Sequence, residues 1–189
     1  MILHEYTAEW ETEFRLLRDI YLECLGHSAM AIEHVGSTSI PGIKAKPIID
    51  IDIVIRDYCV FPEIADKLAK LGYCHNGDQG ILHREAFQRI DEFTPRSQPQ
   101  RRWTNHHLYV CPQFSEELNR HIIFRDYLRI NNIAKKEYEL IKVEIAARSD
   151  GDRKRYAAIK EAECKEFIDR VIGAAGNCDQ LNTPRPLNR

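Results

Sequence analysis

The chain has 189 residues, of which 43% are hydrophobic and 30% are charged, and its formal net charge is −2 at neutral pH. This hydrophobic share excludes global disorder and predicts one domain, or one domain with a helical appendage. The slightly negative charge gives no support to a protein that coats nucleic acid. With no signal peptide, no membrane-spanning apolar run and no zinc-type spacing among its six cysteines, we expect a reduced, cytoplasmic protein.

The first part of the chain predicts two helices and two strands. Apolar residues at three- and four-residue spacing predict a helix over 7–25, followed by a strand at 30–35. A second strand at 47–56 is indicated by an apolar run in which Asp50 and Asp52 alternate with isoleucines. Proline in the first turn and glycine beyond the end predict a helix at 62–71.

The second part of the chain predicts further strands and then only helices. Short strands are expected within 73–90, around a turn at Asn76-Gly77, and another strand at 105–111. Between them, 91–103 is polar and contains prolines, which favours an exposed loop. Three helices are expected near 114–131, 133–147 and 152–172.

This order of elements predicts an α+β fold, with a mixed or antiparallel sheet, packed helices and a helical C-terminal part. The sheet core is expected at about 28–112 and the helical part at about 114–172, within one domain of residues 1–173. Residues 174–189 are small, polar and proline-containing, which predicts a flexible C-terminal tail.

The segment 34–55, HVGSTSIPGIKAKPIIDIDIVI, contains the strongest functional signal. Side chains alternate along a strand, so Asp50 and Asp52 share one face while the isoleucines point to the other. Adjacent carboxylates repel each other, and Mg²⁺ relieves this repulsion because it binds one or two carboxylates together with phosphate oxygens. The turn at Gly36–Ser37 offers backbone N–H groups and hydroxyls to a phosphate. A solvent-facing strand and an ordinary tight turn are the structural alternatives.

The pattern resembles the nucleotidyltransferase superfamily whose prototype is DNA polymerase β. The matching positions are Val35, Gly36, Ser37, Asp50, Ile51 and Asp52. The longer H-x-G-S-T-S-x-P-G-x-x-A-K-P-x-x-D segment, from His34 to Asp50, is similar to the uncharacterised GrpB family. FRDYLR at 124–129 and a C-terminal stretch with Tyr156 and Lys160 extend the similarity over about residues 1–172.

The resemblance implies a Mg²⁺-dependent nucleotidyltransferase with a nucleoside triphosphate, such as ATP, as substrate. Asp50 and Asp52 are the expected catalytic and metal-binding residues. The expected nucleotide-binding residues are Gly36, Ser37, Thr38, Lys46 and Arg125. For Arg125, a structural ion-pair lattice on its helix is the alternative. The sequence does not identify the acceptor or the nucleotide.

The sequence departs from the superfamily pattern at the third carboxylate. Such sites usually add an acid on a later strand, but the strand at 105–111 contains none. Glu85 is the only acid placed within the other strand candidates that follow Asp52, and its placement in a strand is weak. His107, which shares a strand face with Asn105 and Tyr109, is the polar group proposed to replace the acid on the later strand. A catalytically inactive nucleotide-binding or sensor module is therefore the alternative function.

A third hypothesis for the function is an RNA- or protein-interaction module. Arg96, Arg101 and Arg102 lie beside Trp103 in the predicted loop, and such residues can stack on a base or bind an acidic partner. More often, a loop of this composition is simply solvated. The acidic net charge also weighs against this alternative.

Overall fold

The computed structural model describes residues 3–181, except for the side chains of residues 153, 157, 161 and 176–181. The chain divides into two compact units, one formed by Leu3–Arg125 and the other beginning at Asp126. The first unit contains the whole sheet, and the second contains helices. No helix of the described residues is both long enough and apolar enough to cross a membrane.

The first unit is built on a five-stranded mixed sheet. Its strands, in chain order, are β1 (Ala31–Val35), β2 (Ile49–Ile55), β3 (Tyr73–His75), β4 (Glu85–Arg89) and β5 (His106–Pro112). The spatial order is β1-β2-β5-β4-β3, in which β2 and β5 are parallel and the other pairs are antiparallel. Strand β2 therefore lies between a neighbour that is close in sequence and one that is distant.

One face of the sheet carries the main core. Helices α1 (Glu9–Leu25) and α2 (Phe61–Lys70) pack against it through an apolar stripe at helical spacing. From the sheet, Ile49, Ile51 and Ile53 are fully buried in this core, as the alternation along β2 predicts. The opposite face of β2 presents Asp50 and Asp52.

Helix α3 (Glu116–Ile130) contributes to this opposite face. Its Leu118 packs with Val54 of β2 and Cys111 of β5 in a small apolar cluster separate from the main core. The amino-terminal part of α3 is thereby held beside the strands that carry the two aspartates.

The second unit contains α4 (Asn132–Arg148) and α5 (Arg153–Leu181). The Asn131 side chain caps α4 by accepting a hydrogen bond from the Ala134 N–H at 2.9 Å. The rings of Tyr138 and Phe167 stack with their centroids 5.5 Å apart. Lys142 is buried over the Tyr138 ring, and burial lowers its pKa to about 7.

The predicted α+β architecture is confirmed, with two differences in detail. Residues 76–84 between β3 and β4 form a longer connection than a tight turn at Asn76-Gly77. Helix α5 continues past residue 172 to Leu181 and so includes part of the segment expected to be a tail. The remainder of that predicted tail, 182–189, lies outside the described residues.

Candidate functional site

The structure brings the Gly36 turn and Asp50 into direct contact. Gly36 follows β1 with φ of 68°, a left-handed conformation that favours glycine. A Cβ built on Gly36 would overlap Asp50 Oδ2. The turn is fixed by Ser39, whose hydroxyl donates to the Gly36 carbonyl at 2.7 Å. Absence of a side chain at Gly36 thus gives the Asp50 carboxylate direct access to the backbone of the turn.

Asp52 is completely buried, in contrast to the half-buried Asp50. Its Oδ2 accepts a hydrogen bond from His121 Nδ1 of α3 at 2.7 Å. Its Oδ1 is buried and has no hydrogen-bond partner among the described residues. Burial raises the pKa of Asp52, and the hydrogen bond and charge of His121 offset part of this rise. The site therefore contains a buried carboxylate oxygen with unused binding capacity.

His121 bridges two acids. Its other ring nitrogen, Nε2, lies 3.2 Å from Glu117 Oε1, one helical turn earlier in α3. Burial alone would lower the pKa of His121, but the hydrogen bonds to Asp52 and Glu117 outweigh it and raise that pKa to about 10. We infer that His121 is an imidazolium that links α3 to β2.

Arg125, one turn further along α3, binds the neighbouring strand. Glu33 of β1 pairs in register with Asp52, so its side chain lies on the same face. Arg125 Nη1 donates to Glu33 Oε2 at 2.5 Å and to the His34 carbonyl at 3.1 Å. Arg125 is itself buried, and these contacts support the structural alternative for this residue. A direct contact between Arg125 and a nucleotide stays a prediction.

Strand β5 places two polar side chains beside the aspartates. His107 pairs in register with Asp50 and Tyr109 with Asp52. His107 Nδ1 lies 2.9 Å from Asp50 Oδ1, and this hydrogen bond raises the pKa of His107. Tyr109 occupies the position on β5 beside Asp52, and burial raises its pKa to about 12. Glu85, the acid considered from the sequence, instead lies against Tyr58 and His75.

Arg84 completes this side of the site. Its guanidinium lies over the Tyr109 ring, 4.5 Å from the centroid, and Nη1 is 3.9 Å from Glu117 Oε1. Arg84 Nε is buried and makes no hydrogen bond with any described residue. The positive charge of Arg84 also lowers the pKa of Asp52 and of Glu117, although other effects on both groups are larger.

The remaining predicted nucleotide ligands differ in accessibility. Ser37 is half-exposed at the turn. Thr38 is buried, with its hydroxyl 3.0 Å from His34 Nε2 and 3.2 Å from the Ile48 carbonyl, so it stabilises the turn. Lys46 is half-buried, and its charge acts on His107. Their contacts with a nucleotide stay predictions.

The donor set of this face fits Mg²⁺. Two carboxylates lie on one face of β2, one of them with an unpartnered buried oxygen and the other against a turn. Among the described residues, no three histidine, cysteine, aspartate or glutamate side chains form a metal-binding group. Mg²⁺ needs only one or two carboxylates when phosphates and water supply the other ligands, so the two observations agree.

Sequence reasoning missed Glu117 and His121. One signal for them was present: together with Arg125 they repeat every four residues along a predicted helix and therefore share a face. Sequence reasoning also missed the contributions of Glu33 and Arg84. Alternation places Glu33 on a defined face of β1, but only the strand order shows that this face adjoins Asp52.

The basic loop at 96–103 has an internal structural role. Arg96 pairs with Asp91, Arg101 with Glu13, and Arg102 with Glu92. The Trp103 ring is buried, and its indole N–H donates to the Pro95 carbonyl at 2.8 Å. These contacts favour the structural interpretation of the loop over an RNA-binding one.

The sheet, the paired acids and the turn define a protein with a nucleotidyltransferase-like fold. Consistent with this class, a structure of Cid1 in complex with its short product ApU superposes with a TM-score of 0.51 at 11% identity, over 82% of this chain and 48% of Cid1. The family model described as GrpB protein matches residues 1–170, so the chain belongs to the GrpB family.

Relatives of known sequence and structure agree with this assignment. The glutamate-rich protein GrpB of Alkalihalophilus pseudofirmus is 30% identical over 91% of this chain and 94% of its own length. The UPF0157 protein YqkA of Bacillus subtilis is 31% identical over 82% of this chain, which spans only 43% of YqkA. The crystal structure of conserved protein GrpB from Enterococcus faecalis superposes with a TM-score of 0.75 at 25% identity, over 92% of this chain and 98% of that one.

Proposed function

We propose that this protein is a Mg²⁺-dependent nucleotidyltransferase that binds a nucleoside triphosphate and transfers its nucleotidyl group to a hydroxyl acceptor. The observation that carries the proposal is the contact between the Gly36 turn and Asp50. A phosphate bound by the turn would lie beside the carboxylates that bind the metal. Mg²⁺, held by Asp50 and Asp52, would neutralise charge on the phosphates during transfer.

The reaction is an in-line displacement. An acceptor hydroxyl oxygen bonds to the α-phosphorus, the bond from that phosphorus to the oxygen leading to the β-phosphate breaks, and pyrophosphate leaves. The hydroxyl proton passes to water. The side chains act by position: Ser37 donates to a phosphate, while His121 and His107 fix the orientations of Asp52 and Asp50.

Thermal unfolding in the presence of each nucleoside triphosphate, with and without Mg²⁺, tests the proposal. A nucleotide at one hundred times its dissociation constant should add about 2.7 kcal/mol to the unfolding free energy of the wild type. Asp50→Asn should lose this increase, whereas Asp66→Asn, the same change at an exposed position of α2, should keep it. An equal Mg²⁺-dependent shift in Asp50→Asn would refute the proposed site.

A second candidate function is nucleotide binding without transfer. It is favoured by Tyr109, which occupies the position beside Asp52 on β5 where no carboxylate is present. Release of pyrophosphate during incubation with Mg²⁺ and a triphosphate distinguishes the two functions. Sustained release that Asp52→Asn abolishes would exclude the inactive binding module.

A further inference from the structure

The order of strands across the face that carries Asp50 and Asp52 limits where an acceptor can enter. The Gly36 turn follows β1, the two aspartates lie on β2, and β5 and then β4 lie on the other side of β2. In an in-line displacement, the attacking oxygen and the leaving oxygen occupy opposite sides of the phosphorus. If the leaving phosphates lie at the turn, the acceptor must approach over β5 and β4.

The surface on that side is formed by His107, Tyr109 and Arg84. The two β5 side chains alternate onto the same face as the aspartates, and Arg84 precedes β4 by one residue. Because Ala86 pairs with Tyr109 and Arg84 lies two residues earlier, the β4 alternation also directs Arg84 to this face. The cation over the Tyr109 ring agrees with this direction.

Arg84 has hydrogen-bonding capacity that the protein does not use. Its nearest acid, Glu117, is 3.9 Å away, which is too long for a hydrogen bond, and its buried Nε has no partner among the described residues. The Tyr109 ring lies against the guanidinium, with its centroid 4.5 Å from the guanidinium carbon, and restricts its orientation. The Arg84 side chain is 13% exposed. A planar guanidinium of this kind binds a phosphate through two parallel N–H donors.

We propose that Arg84 and Tyr109 form the acceptor subsite and that the acceptor is a hydroxyl compound carrying a phosphate group. This inference rests on the proposed function, because it uses the direction of nucleotidyl transfer. The phosphate of the acceptor binds Arg84, and its hydroxyl lies between Tyr109 and the metal-binding aspartates. The phosphate belongs either to a small phosphorylated alcohol or to the terminal linkage of an oligoribonucleotide.

Calorimetric titration tests this subsite with three probes: ribose 5-phosphate, ribose and hexauridylate. Each is added to protein that holds Mg²⁺ and a non-hydrolysable triphosphate. We expect a phosphate-bearing probe to bind the wild type and ribose to bind at least tenfold more weakly than ribose 5-phosphate. Arg84→Gln should lower the affinity for the phosphate-bearing probe at least tenfold. Binding of hexauridylate alone would identify an oligoribonucleotide end, and binding of ribose 5-phosphate would identify a small acceptor.

Two further variants separate binding from folding. Arg84→Lys keeps the charge but loses the planar fork, so it should recover part of the affinity. Arg102→Gln removes an exposed arginine that pairs with Glu92, and it should bind every probe like the wild type. The unfolding midpoint of each variant is measured without ligand. If Arg84→Gln has a lowered midpoint, its loss of affinity can come from loss of structure, and the affinity of Arg84→Lys for the phosphate-bearing probe then tests the subsite.

The nucleotide response distinguishes failure of this inference from failure of the proposed function. Titration of the wild type with Mg²⁺ and nucleotide, without any acceptor probe, measures the proposed function by itself. Unchanged probe affinity in Arg84→Gln, or no binding of either phosphate-bearing probe to the wild type, would overturn the acceptor subsite alone. If the wild type binds no nucleotide, the proposed function fails and the acceptor role of Arg84 fails with it.

Discussion

The two faces of the sheet each bury a chain of polar groups, and the two chains differ in charge. On the core face, Tyr21 and Tyr73 hydroxyls lie 2.6 Å apart, and Tyr73 continues to His106 Nε2 at 2.5 Å. On the other face, Asp52, His121 and Glu117 form a chain of ionisable groups. The first chain connects helix α1 and the edge strand β3 to β5, and the second connects helix α3 to β2. Only the second chain includes a charged pair.

The neutral chain satisfies each of its members. His106 Nδ1 lies 3.0 Å from the Thr104 carbonyl, which requires that nitrogen to donate. Nε2 then accepts from Tyr73, and Tyr73 accepts from Tyr21. In the charged chain, by contrast, Asp52 Oδ1 has no partner among the described residues. The closed chain therefore serves stability, whereas the open chain keeps hydrogen-bonding capacity for a ligand.

Tyr73→Phe should break the neutral chain with the largest effect on stability. Loss of the central hydroxyl leaves the Tyr21 hydroxyl and His106 Nε2 buried without partners, and we expect the unfolding free energy to fall by about 2–4 kcal/mol. Guanidinium unfolding measures this change. Tyr58→Phe, which removes an accessible hydroxyl bonded to Glu85, should have a smaller effect. Equal losses in the two variants would contradict the assigned importance of the chain.

The neutral chain also predicts a pH dependence. Burial lowers the pKa of His106 to about 3 in the folded protein, so below pH 6.5 protons bind the unfolded chain preferentially and stability falls. Between pH 7.5 and pH 4.5, the wild type should lose about 2–3 kcal/mol more than His106→Gln. His27→Gln, an exposed substitution, should follow the wild-type curve. Parallel unfolding curves for wild type and His106→Gln would show that His106 is not buried in its neutral form.

Gly36→Ala should affect both the stability of the turn and the binding of a nucleotide. Gly36 and Gly77 both have positive φ, but only at Gly36 would a new Cβ overlap another group, the Asp50 carboxylate. Gly36→Ala should therefore lose about 1–2 kcal/mol more unfolding free energy than Gly77→Ala. It should also lose the nucleotide-induced shift that Gly77→Ala retains. The same thermal and denaturant scans on both variants check this, and equal behaviour would remove Gly36 from the site.

Asp52→Asn should have the smallest effect on stability. The amide oxygen still accepts from His121, and the imidazolium keeps Glu117 as an anionic partner. Because the substitution also removes the burial penalty of an ionised carboxylate, we expect a change of about 1 kcal/mol or less. Denaturant unfolding without ligand measures it. The Mg²⁺-dependent nucleotide shift should nevertheless disappear. A large loss of stability with an intact shift would mean that the charged chain, like the neutral one, serves the fold alone.

Much of the fold could be predicted because local patterns determine it. Alternation along 47–56 places Asp50 and Asp52 on one face, and the Gly36 turn follows from its position between two strands. The neighbours of these residues could not be predicted in the same way. The parallel partner of β2 is a strand that follows a helix, two other strands and a long loop, so its register with Asp52 depends on tertiary packing. The complete burial of Asp52, which the strand pattern alone did not indicate, has the same origin.

The pairing of β2 has a consequence for the order of folding. Strands β1 and β2 are separated only by residues 36–48, whereas β2 and β5 are separated by residues 56–105. Closing the shorter loop loses less chain entropy, so the hairpin that joins Gly36 to Asp50 should form before β5 docks. Tyr109 and His107 would then reach the aspartates last. A truncated or newly synthesised chain that ends before β5 would contain the phosphate-binding turn and both acids, yet would lack the strand that completes their surroundings.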